Sequence, residues 1–469
     1  MFQTEKMSAI LKELKLKNFK CFKSEQTIYF KKITILTGAN SSGKSSVLNS
    51  ILGLIQSKEF PFKFSTNGKY VNMGDFKDVS NKHTAKEIKL DLKFFIEDLK
   101  QDCSFNTIWI NDKINSLPKI KVIEFIIKGY YLKIYLEKGM YYLDFNYNPR
   151  LDPVHSPESG KELEQEVIKN FQKKMAAKFK NSGEYKKELK EFKIYTRSMY
   201  TKTNIKKYKI GSDIDDYKDS FRKIKKLSLD YLVNGLIERI VMDYDNNINV
   251  ISSFRLHPDR TYLEKSKDKL KIDKFGEGYL DQIILWEKRE PKKIAELTKI
   301  MKQMGLIHSI STHRMGGGRY ETMITTKENG TETPVFDVGF GISQFLPVIV
   351  ADLQLDNSST LLIAEPEIHL HPNVQAEFAT YLVNQIEKKQ KNYIIETHSE
   401  YLLNRLRLEI VKGNLKEEDL SVYFLENDGE DITINDLKFT KEGSIKDAPN
   451  SFFDTYMIDL KDIALSVEL

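Results

Sequence analysis

The sequence predicts an α/β fold in two lobes with a lysine-rich helical insertion. Three observations carry this. Residues 33–52 run from a short β-branched strand through Gly38-Ala-Asn40-Ser41-Ser42-Gly43-Lys44-Ser45-Ser46 into a helix-like pattern, the strand, glycine loop and helix of an α/β phosphate site. Two more strand-like runs, at 360–364 and 391–396, lead into the polar residues Glu365-Pro-Glu367 and Glu396-Thr-His398, as buried strands that carry a site at their ends do. Residues 87–96 and 118–146 alternate aromatic or β-branched side chains with polar ones, the habit of an antiparallel sheet. The expected division is an N-terminal lobe at 1–150 that carries the glycine loop, an insertion at 151–246 and a C-terminal lobe at 247–469.

The bulk numbers bound the rest. At 469 residues the chain exceeds one simple core, so more than one lobe is expected. No run approaches 18 apolar residues and the first residues are polar, which predicts no membrane span, no secretory leader and a cytoplasmic protein. Cys21 and Cys103 are far apart and in no metal-ligand spacing, which fits a reducing compartment. The net charge of +6 is uneven: residues 161–226 hold 20 Lys or Arg against 10 Asp or Glu, leaving the remainder acidic. This helix-prone stretch reads either as a solvated arm or as a landing surface for nucleic acid or an acidic partner.

In chain order, alternation predicts strands at 14–20 and 26–30 before the strand at 33–37. A helix follows at about 45–56, then a turn, strand and turn over 67–76. Helical patterns are expected at 229–244 and 277–304, strands at 248–251 and around Gly316-Gly-Gly318, and a hairpin at 422–434 turning on Asp428-Gly429.

The loop at 38–45 has the spacing Gly-x-x-x-x-Gly-Lys-Ser, the P-loop. Its glycines turn backbone N–H groups inward as an anion nest, and the following helix adds its positive end. Lys44 is placed to reach the β- and γ-phosphates and Ser45 to bind Mg²⁺. Three further stretches follow in order. Gly339-Phe-Gly341-Ile-Ser343-Gln344 opens a helix, where loop amides suit phosphate. Ala364-Glu365-Pro-Glu367 ends a strand with acids that suit metal binding and orientation of water. Glu396-Thr-His398-Ser ends another strand with a histidine able to contact a γ-phosphate. His369 and His371 stand near Pro372 without a second ligand pair, so a helix start is favoured there over a metal site.

Taken together, Asn40–Ser46, Val338–Gln344, Glu365–Pro372 and Glu396–Glu400 resemble the RecF/SMC-like ATPases of the OLD group, an ABC-type head. Asn18-Phe-Lys-Cys-Phe22 and Pro449-Asn-Ser-Phe-Phe453 fit a bacterial branch of that group. The likeness spans roughly 9–150 and 246–456. It implies ATP and Mg²⁺ as cofactors, with Glu365, Glu367 and His398 as catalytic residues and Ser45 and Glu365 at the metal. It also implies a homodimer that sandwiches two ATP molecules, Gly341, Ser343 and Gln344 of one copy capping nucleotide on the other. Gln56 or a nearby glutamine would sense Mg²⁺.

Two departures stand out. Anchored on Pro366, the usual strand-end acid falls on Ala364, so hydrolysis is expected to be slow or to use Glu365 and Glu367 in a shifted register. The signature reads Gly-Ile-Ser-Gln in place of Ser-Gly-Gly-Gln. OLD-type nucleases add a Toprim domain, whereas only about 70 residues follow His398 here, with no Asp-x-Asp strand. The chain is therefore expected not to cut nucleic acid itself. This pattern is similar to the ATPase subunits of Septu-type anti-phage systems, which act with a separate His-Asn-His nuclease. The competing expectations are a stand-alone RecF-like repair ATPase binding DNA and an ATP sensor with little hydrolysis.

Overall fold

The computed structural model describes residues 8–151, 202–263 and 271–449, with the single positions 169, 190 and 452. Contacts divide the chain into two units, residues 1–28 with 48–246 and residues 29–47 with 247–469.

The first unit is organised on an eight-stranded sheet. Its strands are β1 (Ala9–Lys17), β2 (Gln26–Tyr29), β4 (Glu87–Ile96), β5 (Gln101–Asn111), β6 (Pro118–Ile127), β7 (Tyr130–Glu137), β8 (Met140–Tyr147) and β9 (Thr203–Gly211), in the order β2-β1-β4-β5-β6-β7-β8-β9. From β4 to β9 each strand runs antiparallel to the one before. Period-two alternation aims Ile88, Leu90, Leu92, Phe94 and Ile96 of β4 inward beside Phe105, Trp109 and Phe125. Edge contacts of Phe105 with Phe60 and Phe94 fill this core, each such pair adding about 0.5–1.5 kcal/mol beyond its buried area. Helical residues 227–246 pass through a π-helical stretch, Tyr231–Ile237, and bring Tyr244 against Phe94.

Four expectations need correction in this unit. No strand forms over 67–76; Asn67 and Asn72 meet in an isolated bridge before the single helical turn Phe76–Val79, which Asp75 caps. Strand β5 was not expected. Of the insertion, residues 152–168, 170–189 and 191–201 lie outside the described residues, and its described part includes a strand, β9, where only helix was expected. Gln56 does not face a metal: its amide donates to the carbonyls of Ser65 and Val71 and accepts from the amides of Tyr70 and Val71.

The second unit is a seven-stranded sheet. Its strands are β3 (Ile33–Gly38), β10 (Ile248–Ile251), β15 (Thr360–Ala364), β16 (Asn392–Glu396), β17 (Leu420–Asn427), β18 (Ile432–Phe439) and β19 (Ile445–Lys446), in the order β10-β15-β16-β3-β17-β18-β19. The first five are parallel, and β3 and β16 are buried along their whole length, as sheets covered on both faces require. Because β3 pairs with β16 and β17, the P-loop folds with the C-terminal half rather than within an N-terminal lobe at 1–150. The hairpin β17–β18 turns at Asp428-Gly429. A small sheet, β11 (Tyr262–Leu263), β12 (Ser309–Arg314), β13 (Arg319–Thr325) and β14 (Thr333–Pro334), completes the strands.

Five helices matter for the site: α1 (Lys44–Gln56), α2 (Tyr279–Arg289), α3 (Pro291–Gln303), α4 (Phe340–Gln354) and α5 (Pro372–Lys389). The stretch at 277–304 is two helices because Pro291 starts the second, where its missing N–H costs nothing. Helix α4 is almost wholly buried from Ser343 to Leu353. At the far end of the parallel strands, Lys391 and Asp352, both fully buried, pair at 2.9 Å, with Tyr381 and Tyr393 donating to the same carboxylate. This satisfied network locks α4, α5 and β16 together.

Candidate functional site

Ligands of open parallel sheets bind beyond the carboxyl ends of the strands. Here those ends gather the P-loop after β3, Glu365 after β15, and Glu396 with His398 at the end of β16. The loop needs its glycines. Gly38 has φ of +138°, and a Cβ there would lie 2.3 Å from the Leu425 carbonyl oxygen. Gly43 has φ of +99° and Ser41 of +60°, so successive amides turn inward as a nest. Asn427 of β17 clasps the loop through the Ser41 carbonyl at 3.0 Å. Asn40, Ser41 and Ser45 are exposed, Gly43 and Ser46 half-buried. Ser42 is buried, its hydroxyl without a partner.

Lys44 is buried, and its ammonium donates to the carbonyls of Gly38 (3.0 Å) and Ala39 (2.8 Å). Burial lowers its pKa, opposed by the charges of Glu396, Glu365 and Glu367. The Ser45 hydroxyl donates to Glu396 Oε1 at 2.9 Å. Burial raises the Glu396 pKa against the Ser45 bond and the Lys44 charge.

The two acids at 365 and 367 are separated by their surroundings. Glu367 accepts from the His398 amide at 2.6 Å, and burial raises its pKa. It therefore ties the end of β15 to the end of β16. Glu365 is half-buried with φ of +47°. Arg255 Nη2 donates to the carbonyls of Ala364 (2.9 Å) and Glu365 (3.0 Å), and the Glu365 amide donates to the Glu396 carbonyl at 2.7 Å. His398 is exposed, and its pKa is lowered by burial of part of the ring and by the Lys44 charge, which favours the neutral imidazole.

This geometry is that of a P-loop enzyme: an anion nest, a lysine, a hydroxyl beside a carboxylate, and a second carboxylate nearby. A family model described as an AAA ATPase domain matches residues 10–403. The chain belongs to that family. The fold of this ATPase is α/β, with the P-loop between a buried parallel strand and a helix. No curated protein matches it in sequence. Among solved structures it is similar to an Smc head with an extended coiled coil bound to the C-terminal domain of ScpA, from Pyrococcus furiosus. That pair shares 11% identity over 97% of this chain and all of that one, at a TM-score of 0.42. It is also similar to an Smc head bound to the C-winged helix domain of ScpA, at 10% identity over 91% and 98% of the two chains and a TM-score of 0.44. The SMC head from Thermotoga maritima gives 10% identity, 91% and 99% coverage and a TM-score of 0.36.

The residues expected to cap a nucleotide lie at the start of α4, with the side chains of Ser343 and Gln344 turned inward. Gly339 precedes α4, and a Cβ on Gly341 would lie 2.5 Å from the His369 carbonyl oxygen, so the helix start packs on the loop after β15. Ser343 is fully buried and its hydroxyl donates back to the Phe340 carbonyl at 3.0 Å. Gln344 is buried as well. Neither side chain is presented outward for a second copy; Gly339 and Phe340 are the exposed residues there. His371 caps α5 by accepting from the Asn373 amide at 3.3 Å, a structural role. Two residues of the site were not anticipated, Glu396 as the partner of Ser45 and Arg255 beneath Glu365. Residues 450, 451 and 453 of the C-terminal motif lie outside the described residues.

Proposed function

We propose that this ATPase is the ATP-hydrolysing regulatory subunit of a bacterial anti-phage complex, and that its ATP-dependent assembly controls a separate His-Asn-His nuclease. The observation that carries the ATP-dependent part is the Ser45–Glu396 contact beside Lys44 and Glu365. Ser45, Glu396 and Glu365 offer hard oxygen donors, and Ser45 is open to solvent. That set fits Mg²⁺, which takes one or two protein oxygens and keeps water and phosphate for the rest. When bound, the ion supplies charge neutralisation on the phosphates. Lys44 exchanges its loop carbonyls for phosphate oxygens, Glu365 orients the attacking water and accepts its proton, and neutral His398 donates to the terminal phosphate. Exposed amides at the start of α4, rather than the Ser343 hydroxyl, face the nucleotide of a second copy.

The separate nuclease rests on the sequence resemblance and on β17–β18. Asp428, an acid of that hairpin, accepts from the amides of Glu430 (2.7 Å) and Asp431 (2.8 Å). It builds a turn instead of standing free for a metal. The test is co-expression of the chain with the genes that flank it, followed by ATPase and nuclease assays on whatever co-purifies. A nuclease that co-elutes, and whose cutting changes with ATP and with Lys44→Ala, is the expected result. An ATPase that purifies alone and binds DNA tightly would favour the RecF-like reading instead.

A further inference from the structure

The sequence leaves a chemical gap. P-loop enzymes of this class place a carboxylate at the end of a strand beside the P-loop, where it helps the loop hydroxyl hold Mg²⁺. Here that position is Ala364, whose methyl group has no affinity for a cation. The sheet order shows where the missing acid has gone. Strand β16 lies between β15 and β3. Its last residue, Glu396, is in register with Ala364 on one side and Leu36 on the other. Residues in register on neighbouring parallel strands point to the same face of the sheet. Glu396 thus aims as a side chain at 364 would, from one strand closer to the P-loop.

Its contacts agree. The carboxylate meets the Ser45 hydroxyl at 2.9 Å and is 4% exposed, following Ile394 and Ile395 at the end of a strand buried throughout. A buried carboxylate is costly unless charge or hydrogen bonds compensate it, and an apolar residue would continue β16 without that cost. A second acid at 364 would set two like charges on adjacent strands, so the small residue there is the complement of the large one at 396. Glu365 and Glu367 do not fill the gap: Glu367 is held by the His398 amide, and Glu365 has left the strand in a left-handed turn.

We propose that Glu396 is the metal-positioning acid of this ATPase, transferred from β15 to β16, and that with Ser45 it holds the Mg²⁺ of bound Mg·ATP. This rests on the ATPase reading above. It also means that Ala364 does not mark a hydrolytically dead site.

The experiment is a titration of a fluorescent ATP analogue, once with Mg²⁺ and once with EDTA, on the full chain with thermal melts alongside. The wild type is expected to bind more tightly with Mg²⁺. Glu396→Gln preserves shape and is expected to lose that tightening by about tenfold or more, with affinity in EDTA unchanged. Glu396→Ala combined with Ala364→Asp is expected to recover part of the Mg²⁺ dependence, which a merely structural role for Glu396 would not allow. If Glu396→Gln melts early, Glu396→Asp, which keeps the charge on a shorter arm, carries the same comparison against Glu396→Ala. A folded Glu396→Gln protein with wild-type Mg²⁺ dependence overturns the inference while leaving the ATPase reading intact. A wild type that binds no nucleotide in either condition overturns the ATPase reading itself.

Discussion

Arg255 shows how much of this site is decided by single residues remote in sequence. It is 3% exposed, and burial pulls its pKa down to about 10, with Glu367 and Glu365 opposing the shift, so it stays charged at neutral pH. One of its nitrogens holds the two carbonyls that flank the left-handed turn at Glu365. A left-handed conformation costs a non-glycine residue about 1–2 kcal/mol, and the Arg255 bonds offset it by fixing both peptide planes. Methionine keeps a long unbranched stem but neither the charge nor the donors. Arg255→Met is therefore expected to lower stability by about 1.5–3 kcal/mol, the range for hydrogen bonds to charged groups, read from urea denaturation. It should reduce kcat more than ATP affinity, because Glu365 is displaced while the P-loop is untouched. Equal losses in both would place Arg255 in ground-state binding. The thiols give a second check at this scale. Burial pushes Cys103 up to about 12, whereas Cys21 is half-buried. An alkylating reagent at pH 8 should modify Cys21 first and reach Cys103 only on unfolding; quantitative labelling of Cys103 in the native protein would contradict its place in β5.

At the scale of elements, the loop after β3 is set by one close approach. Gly38 sits where a Cβ would collide with the Leu425 carbonyl on β17, and its φ is one that L-residues rarely adopt. Gly38→Ala must push β3 and β17 apart or rebuild the loop. The expected result is a lower melting temperature together with lost ATP binding; a variant that binds ATP normally would show that the nest tolerates another path. Such local features were legible in the sequence because glycine, lysine and serine at fixed spacing carry their own geometry. The same holds for the hairpin at Asp428-Gly429 and the helix beginning at Pro372. What escaped was set by neighbours far away in the chain. Strand β5 turns Cys103 and Thr107 inward among its aromatics, which breaks the hydrophobic alternation. Strand β9 ends the sheet order and buries little besides Thr203 and Ile210. Its lysines suit an edge strand, and they made it read as part of a basic helix. Glu396 draws its proposed role from register with Ala364, and helix phase turns Ser343, expected at the nucleotide, into the core.

At the scale of the whole molecule, the pertinent quantity is how ATP changes assembly. In the proposed assembly, a nucleotide bound by one copy and capped by the α4 start of another binds the pair better than the single chain, so it shifts the equilibrium toward the pair by mass action. Hydrolysis removes that ligand and reverses the shift. Glu365→Gln keeps the P-loop, Ser45 and Glu396 but removes the proposed base, so it should accumulate the closed pair. Size exclusion with light scattering is expected to give the mass of one chain, 54.6 kDa, for this variant without nucleotide and about twice that with Mg·ATP. Lys44→Ala should remain at the single mass under both conditions. The start of α4 is tested in the same experiment by Gly339→Asp, which sets a negative charge against the partner's phosphates while leaving the P-loop of its own copy intact. Combined with Glu365→Gln it should still bind ATP and fail to pair. If it pairs normally, the trans contact is made elsewhere and α4 serves only the core. If Glu365→Gln stays single while saturated with Mg·ATP, pairing is not what the nucleotide controls, and regulation must act within one chain.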